Sequence, residues 1–109
     1  MKRRTLLATA AALAMSPAAA FAADDKPAIV FDIGGKFDKS FNESMYNGSE
    51  KFKTETGTAY GEFEIATEAQ REQAIRNFAD QGYRPIIAAG FAQAAAVEKV
   101  AKEYPDLKF

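Results

Sequence analysis

Apolar and polar positions along this chain fall into six segments that alternate between strand-like and helix-like patterns. Ala28-Ile29-Val30-Phe31 is a short continuous apolar run behind Pro27 and reads as a buried strand. Phe41, Met45, Gly48 and Phe52 then recur at helical spacing, and Gly57 stands where that helix stops. Gly61, Phe63 and Ile65 alternate with Glu62 and Glu64, which predicts an edge-like strand with one wet face. Arg71, Ile75, Phe78 and Gly82 lie on one stripe of a second helix, with the stem of Arg71 over the core. Pro85-Ile86-Ile87-Ala88-Ala89 is the clearest buried strand, and it ends at Gly90. A third helix is predicted from about Ala92 to Tyr104, facing Ala96, Val97, Val100 and Tyr104 inward and ended by Pro105.

Two capping boxes mark helix starts. Ser40 is paired with Glu43 three residues on, and Thr67 with Gln70. The order β-α-β-α-β-α implies an α/β fold, a parallel sheet with flanking helices and right-handed crossovers. Leu107-Lys108-Phe109 reads as the opening of one more strand, so the sequence is expected to be the N-terminal part of something longer. Neither an internal repeat nor a low-complexity tract interrupts it.

The first 22 residues have the layout of a secretory signal peptide rather than of the fold. Lys2, Arg3 and Arg4 precede an apolar run from Leu6 to Met15, and Ala20-Phe21-Ala22 is a small-x-small cleavage site. Cleavage is expected after Ala22, leaving residues 23–109 as one α/β lobe. The apolar segment is short for a membrane span and is broken by Ser16-Pro17. Arg3-Arg4 faintly echoes a twin-arginine signal without deciding the export route. The chain has no cysteine, hence neither a disulfide framework nor a lipid-bearing residue at the cleavage site. A soluble protein of a Gram-negative periplasm fits these features best.

Charge and composition then narrow the function classes. Without the leader, eleven basic residues face fifteen acidic ones, a net charge near −4 that argues against nucleic acid or anionic membrane as partners. The absence of histidine and cysteine removes the commonest general base, metal ligand and thiol nucleophile, so enzymatic chemistry is disfavoured. No metal and no cofactor is expected.

The chemistry concentrates in Asp32-Ile33-Gly34-Gly35-Lys36-Phe37-Asp38-Lys39-Ser40-Phe41-Asn42, between the first strand and the first helix. Such a strand-to-helix turn is where open α/β sheets bind small molecules. Gly34-Gly35-Lys36 is not a phosphate loop, because Val30 stands where the first glycine is needed and Phe37 where Ser or Thr is needed. Asp32, at the strand's carboxyl end, is either a ligand acceptor for hydroxyls or a base N–H, or a turn-forming residue. Phe41 falls on the apolar stripe, so spacing favours the core; the other reading is a ring at the cleft mouth stacked on a ligand. Asn42 is either a solvated helix residue or an amide reading a base edge. Asp38 sits beside Lys39 in a solvated loop and can also order the turn. A hydrolase pairing Asp32 with Asp38 has no other support in the chain. Gly90-Phe91 closes the third strand, with the ring either facing the crevice or stapling the next helix.

Taken together, Asp32-Ile33-Gly34-Gly35, Asp38-Lys39-Ser40-Phe41-Asn42 and Gly48 resemble the opening signature of the basic membrane protein family of ABC-importer substrate-binding proteins. Ile86-Ile87-Ala88-Ala89-Gly90-Phe91, Ala96-Val97 and Ala101-Lys102-Glu103-Tyr104-Pro105-Asp106 are similar to that family in order and spacing. The resemblance implies the first lobe of a type I periplasmic binding protein fold, incomplete here, whose two lobes close on a ligand. It implies Phe41 as one of two rings sandwiching a purine nucleoside. Asp32 and Asn42 become polar contacts, Asp38 and Ser40 lie beside them, and Gly90 and Phe91 line the same cleft. The implied partners are the small-molecule ligand and an inner-membrane ABC permease, with the full-length protein a monomer. The alternatives are a periplasmic binding or sensor module for a sugar, a free purine base or riboflavin, and a small exported flavodoxin-like enzyme.

Overall fold

The computed structural model describes residues 25–109; the expected leader and its cleavage site lie outside the described residues. Three strands, β1 (Ala28–Phe31), β2 (Gly61–Glu64) and β3 (Ile86–Ala88), alternate with three helices, α1 (Phe41–Thr56), α2 (Gln70–Asp80) and α3 (Ala94–Glu103). All strand pairs are parallel, in the order β2-β1-β3, with Ala28 opposite both Gly61 and Ile86. The predicted α/β order and parallel sheet are therefore present. Among the described residues no helix is long and apolar enough to cross a membrane.

β1 is central and buried along its whole length, as its unbroken apolar run requires. Its alternate side chains serve two faces. Ala28 and Val30, with Ile86, join Ile65, Ala74, Ile75, Ala79, Ala96 and Val100 in one core under α2 and α3. Ile75 and Val100 are fully buried, each contributing about 1.5–3 kcal/mol by leaving water. Ile29 and Ile87 face the other way and, with Met45 and Phe52 of α1, line an apolar groove of about 520 Å³. β2 is an exposed edge strand, its Glu62 and Glu64 carboxylates taken by the ammonium and the backbone N–H of Lys36.

Several local expectations need correction. The helical stripe of α1 does not bury Phe41, which is 76% exposed, and Asn42 is the buried residue of that helix. Ser40 flanks α1 but makes no side-chain cap; Asp38 supplies it instead. The cap at α2 is half formed: the Gln70 side chain accepts from the Thr67 N–H, without a bond back from the Thr67 hydroxyl. The third helix opens as a 3-10 turn over Phe91–Gln93. Gly57 ends α1 as expected, in a left-handed conformation with its N–H on the Lys53 carbonyl. Leu107–Phe109 is not a strand, yet the Lys108 carbonyl accepts the Ile86 N–H at 2.9 Å along the free edge of β3.

Candidate functional site

In the order β2-β1-β3 the chain leaves β1 toward one side and later returns to the other, so the switch point lies between β1 and β3. A crevice forms at such a point, outside the carboxyl ends of the strands. Here it is an open groove of about 850 Å³ lined by Asp32 after β1, Phe41 at the start of α1, Gly90 and Phe91 after β3, and Gln93 and Val97 beyond them. The groove between α1 and the sheet lies toward the amino ends of the strands and holds none of the turn's polar groups.

The turn that shapes the crevice is held by side chains returning to the backbone. Asn42 is 2% exposed and bonds Asp32 twice, accepting its N–H at 2.9 Å and donating to its carbonyl at 3.0 Å. Both ends of the amide are thus engaged with β1, so Asn42 ties the start of α1 to the end of β1 rather than standing in solvent. Asp38 accepts from the Ser40 and Glu43 N–H groups through Oδ1 and from the Asn42 N–H through Oδ2. Burial pushes the Asp38 carboxyl up, but the three N–H donors together outweigh it and hold it below its ordinary value. Lys39 takes a positive φ of 57° to make this possible. The Ser40 side chain is exposed and does not line the groove.

Asp32 is partly exposed, and its carboxylate is divided in use. Oδ1 accepts the Ile33 N–H at 2.7 Å and the Arg71 Nη1–H at 2.5 Å. Oδ2 has no hydrogen bond among the described residues and lies against Gly90, where an added Cβ would stand 2.9 Å from it. Gly90 has a φ of 99°, a backbone that favours glycine, and an added Cβ would also push Asp32 Oδ2 aside. Phe41, 76% exposed, and Phe91, fully exposed, both line the groove. Asp32, Phe41, Gly90 and Phe91 are therefore brought together, while Asn42 and Asp38 build the turn behind them.

Two polar residues of the site were not singled out as such from sequence. The stripe predicts the Arg71 stem over the core; its side chain is 6% exposed and bridges Asp32 to Glu68. The Glu68 hydrogen bond, joined by that to Asp32, keeps its guanidinium above its already high range despite burial. The signal was present, since a charged residue on an apolar stripe is seldom buried without a partner. Gln93 is buried beneath the groove, with Nε2 3.5 Å from the Val30 carbonyl and no partner for Oε1 among the described residues. Nothing in its spacing marked it. Among the described residues no group of three or more carboxylate side chains is placed to hold a metal ion.

Comparison with known proteins gives a consistent result. The model of the Bmp family, described as ABC transporter substrate-binding protein PnrA-like, matches residues 26–109. An uncharacterised lipoprotein of Pyrococcus furiosus is 36% identical over 88 residues, which is 77% of this chain and 21% of the relative. The ABC transporter nucleoside-binding protein BmpA of Lactococcus lactis subsp. cremoris is 31% identical over 90 residues, 79% of this chain and 26% of the relative. A solved ABC transporter solute-binding protein of Aeropyrum pernix K1 superposes with a TM-score of 0.71 at 29% identity, covering 77% of this chain and 23% of that one. The chain thus spans about a fifth to a quarter of the length of the curated relatives it matches.

Proposed function

The chain belongs to the Bmp family of PnrA-like ABC transporter substrate-binding proteins, and from that membership we propose that it forms the first of two lobes closing on a purine nucleoside. The observation that carries this reading is the pair of exposed phenylalanines, Phe41 and Phe91, lining the switch-point crevice together with Asp32, whose Oδ2 has no hydrogen bond among the described residues. An exposed ring beside a carboxylate suits a ligand with a flat base and hydroxyl or N–H donors. The ring stacks on the base, and the carboxylate accepts from the sugar or base. The Lactococcus relative named as nucleoside-binding supports the same ligand class.

In this reading the second lobe brings the opposing aromatic and the remaining polar contacts, and domain closure excludes water from the bound ligand. The protein acts in the periplasm, delivers its ligand to an inner-membrane permease and carries out no chemistry on it. The Pyrococcus relative is named as a lipoprotein, whereas the 109 residues here hold no cysteine to carry a lipid. Asn42 enters this reading as the residue that shapes the turn, with Asp32, Phe41, Gly90 and Phe91 as the ligand-facing set.

Calorimetry on the two-lobed protein tests it. Adenosine, guanosine and inosine should bind, and Phe41→Ala should weaken binding by about 1–3 kcal/mol, the usual worth of stacking a base on an aromatic ring. Phe41→Tyr should bind nearly as wild type. Unchanged affinity in Phe41→Ala would remove the stacking assignment. A thermal-shift screen in which sugars, riboflavin or free bases stabilise the protein and nucleosides do not would replace the ligand class.

A further inference from the structure

Asp32 offers its ligand face through only one oxygen, and the reason is a buried arginine from another element. Arg71 lies in the first turn of α2, and its side chain is 6% exposed. Nη1 donates to Asp32 Oδ1 at 2.5 Å, while Nε and Nη2 donate to the two oxygens of Glu68 at 2.7 and 2.8 Å. Glu68 is 74% exposed and three residues earlier, so the arginine is gripped from outside by a bidentate pair and reaches inward with its remaining edge. The Ile33 N–H takes the other lone pair of Asp32 Oδ1. Oδ1 is thereby saturated, and Oδ2 is turned toward Gly90 and the groove with both lone pairs unspent.

Resting on the nucleoside reading of this crevice, we infer that Arg71 is a positioning residue that fixes Asp32 in the one rotamer presenting Oδ2 as a hydroxyl acceptor. The arrangement selects a ligand class. An oxygen with two free lone pairs, held without a donor of its own toward the groove, matches vicinal hydroxyls of a sugar and repels a phosphate at the same place. Arg71 itself does not line the groove, its side chain being 6% exposed and engaged by Glu68 and Asp32, so it acts on the ligand only through Asp32. The ligand accordingly meets the negative end of the Glu68–Arg71–Asp32 chain. Discrimination between hydroxylated and deoxygenated sugars then depends on a residue that does not touch them.

The test uses the two-lobed protein with adenosine and 2′,3′-dideoxyadenosine as probes, by calorimetry, for wild type, Asp32→Ala, Arg71→Met, Arg71→Lys and the Asp32→Ala/Arg71→Met double variant. Wild type should prefer adenosine by about tenfold or more, the scale of a hydrogen bond to a charged group. Arg71→Met should lose most of that preference, its affinity for adenosine falling by more than its affinity for the dideoxy probe. Arg71→Lys should restore part of it, and the double variant should match Asp32→Ala. An arginine with only a stabilising role would lower the unfolding temperature of Arg71→Met but leave the preference intact, which would overturn the inference. A second readout does not require nucleoside binding: side-chain NMR couplings of Asp32 should report one χ1 rotamer in wild type and averaging in Arg71→Met. A single unchanged rotamer in Arg71→Met would overturn the positioning role. Failure of wild type to bind any nucleoside, with Asp32 averaging as expected, would remove the ligand class and keep the positioning.

Discussion

Replacing Asn42 tests whether the crevice is built by a side-chain latch or by the helix alone. The amide has two partners, the N–H and the carbonyl of Asp32, at 2.9 and 3.0 Å. Asn42→Ala removes both bonds, each worth about 0.5–1.5 kcal/mol net. The carbonyl keeps the Gly35 N–H at 3.3 Å, so the Asp32 N–H is the group left without a partner. Asp32 is partly exposed and water can reach part of this region, which puts the total at about 2 kcal/mol. For a lobe of this size that is a fall in unfolding temperature of roughly 8–16 °C, or an equivalent shift of the urea midpoint without a change of slope. Asn42→Asp separates the two explanations. An added carboxylate in the first turn of a helix ordinarily stabilises by about 0.3–1 kcal/mol. The latch predicts the opposite sign, because aspartate has no donor for the Asp32 carbonyl and sets a second negative charge beside Asp38. Urea unfolding in which Asn42→Asp is as stable as wild type, or more so, would refute the latch.

Acidification and a single methyl group supply two further checks. The carboxyls of Asp38, Glu68, Glu98 and Glu103 are all held below their ordinary values: Asp38 by backbone N–H donors that outweigh its burial, the others chiefly by hydrogen bonds from Arg71, Lys102 and Arg76. Groups lowered on folding add stability above their unfolded values of 3.8 and 4.5 and lose it as pH falls through the folded ones. Thermal unfolding between pH 7 and 2.5 should therefore be flat above about pH 5 and drop below it; a rise on acidification would contradict the ion-pair assignments. In Gly61→Ala the new Cβ would stand 2.8 Å from ring atoms of both Phe78 and Tyr83, so a loss of about 1–3 kcal/mol is expected, and a neutral result by urea unfolding would mean that the ring pair yields freely.

Much of the fold was readable because period and length agree in most elements; β3, expected as the clearest buried strand over Pro85–Ala89, is instead the three-residue edge Ile86–Ala88 with Ile87 41% exposed. The unbroken run at β1 matches its place at the centre of the sheet, and Glu62 and Glu64 mark β2 as an edge. What periodicity did not resolve was α1. Its stripe of Phe41, Met45, Gly48 and Phe52 looks like a core face, yet that face lies over the apolar groove beside Ile29 and Ile87, and Phe41 points to the crevice. A hydrophobic stripe reports that apolar side chains share a face, not what lies opposite. The cap at Ser40 failed for a related reason. Asp38, two residues earlier, takes the Ser40 and Glu43 N–H groups with its Oδ1, so local competition between acceptors decided it. Arg71 was recognisable as an arginine on an apolar stripe, but its partner lies 39 residues away and only the fold brings the two together.

These placements divide the residues around the crevice by the kind of free energy they carry. Asn42 and Arg71 are buried and hydrogen-bonded, so changing them perturbs folding and site geometry together. Phe41 is 76% exposed and Phe91 is fully exposed, so their rings contribute little to the packing of the lobe. Apolar rings left in water at a crevice cost the unliganded protein no packing, and their transfer free energy remains available to whatever covers them. A lobe organised this way can exchange Phe41 and Phe91 without unfolding, provided that Asn42 and Asp38 keep the turn and Gly90 the close approach beside it. Variation at the rings should therefore alter affinity at nearly constant unfolding temperature, whereas variation at the latch should move both.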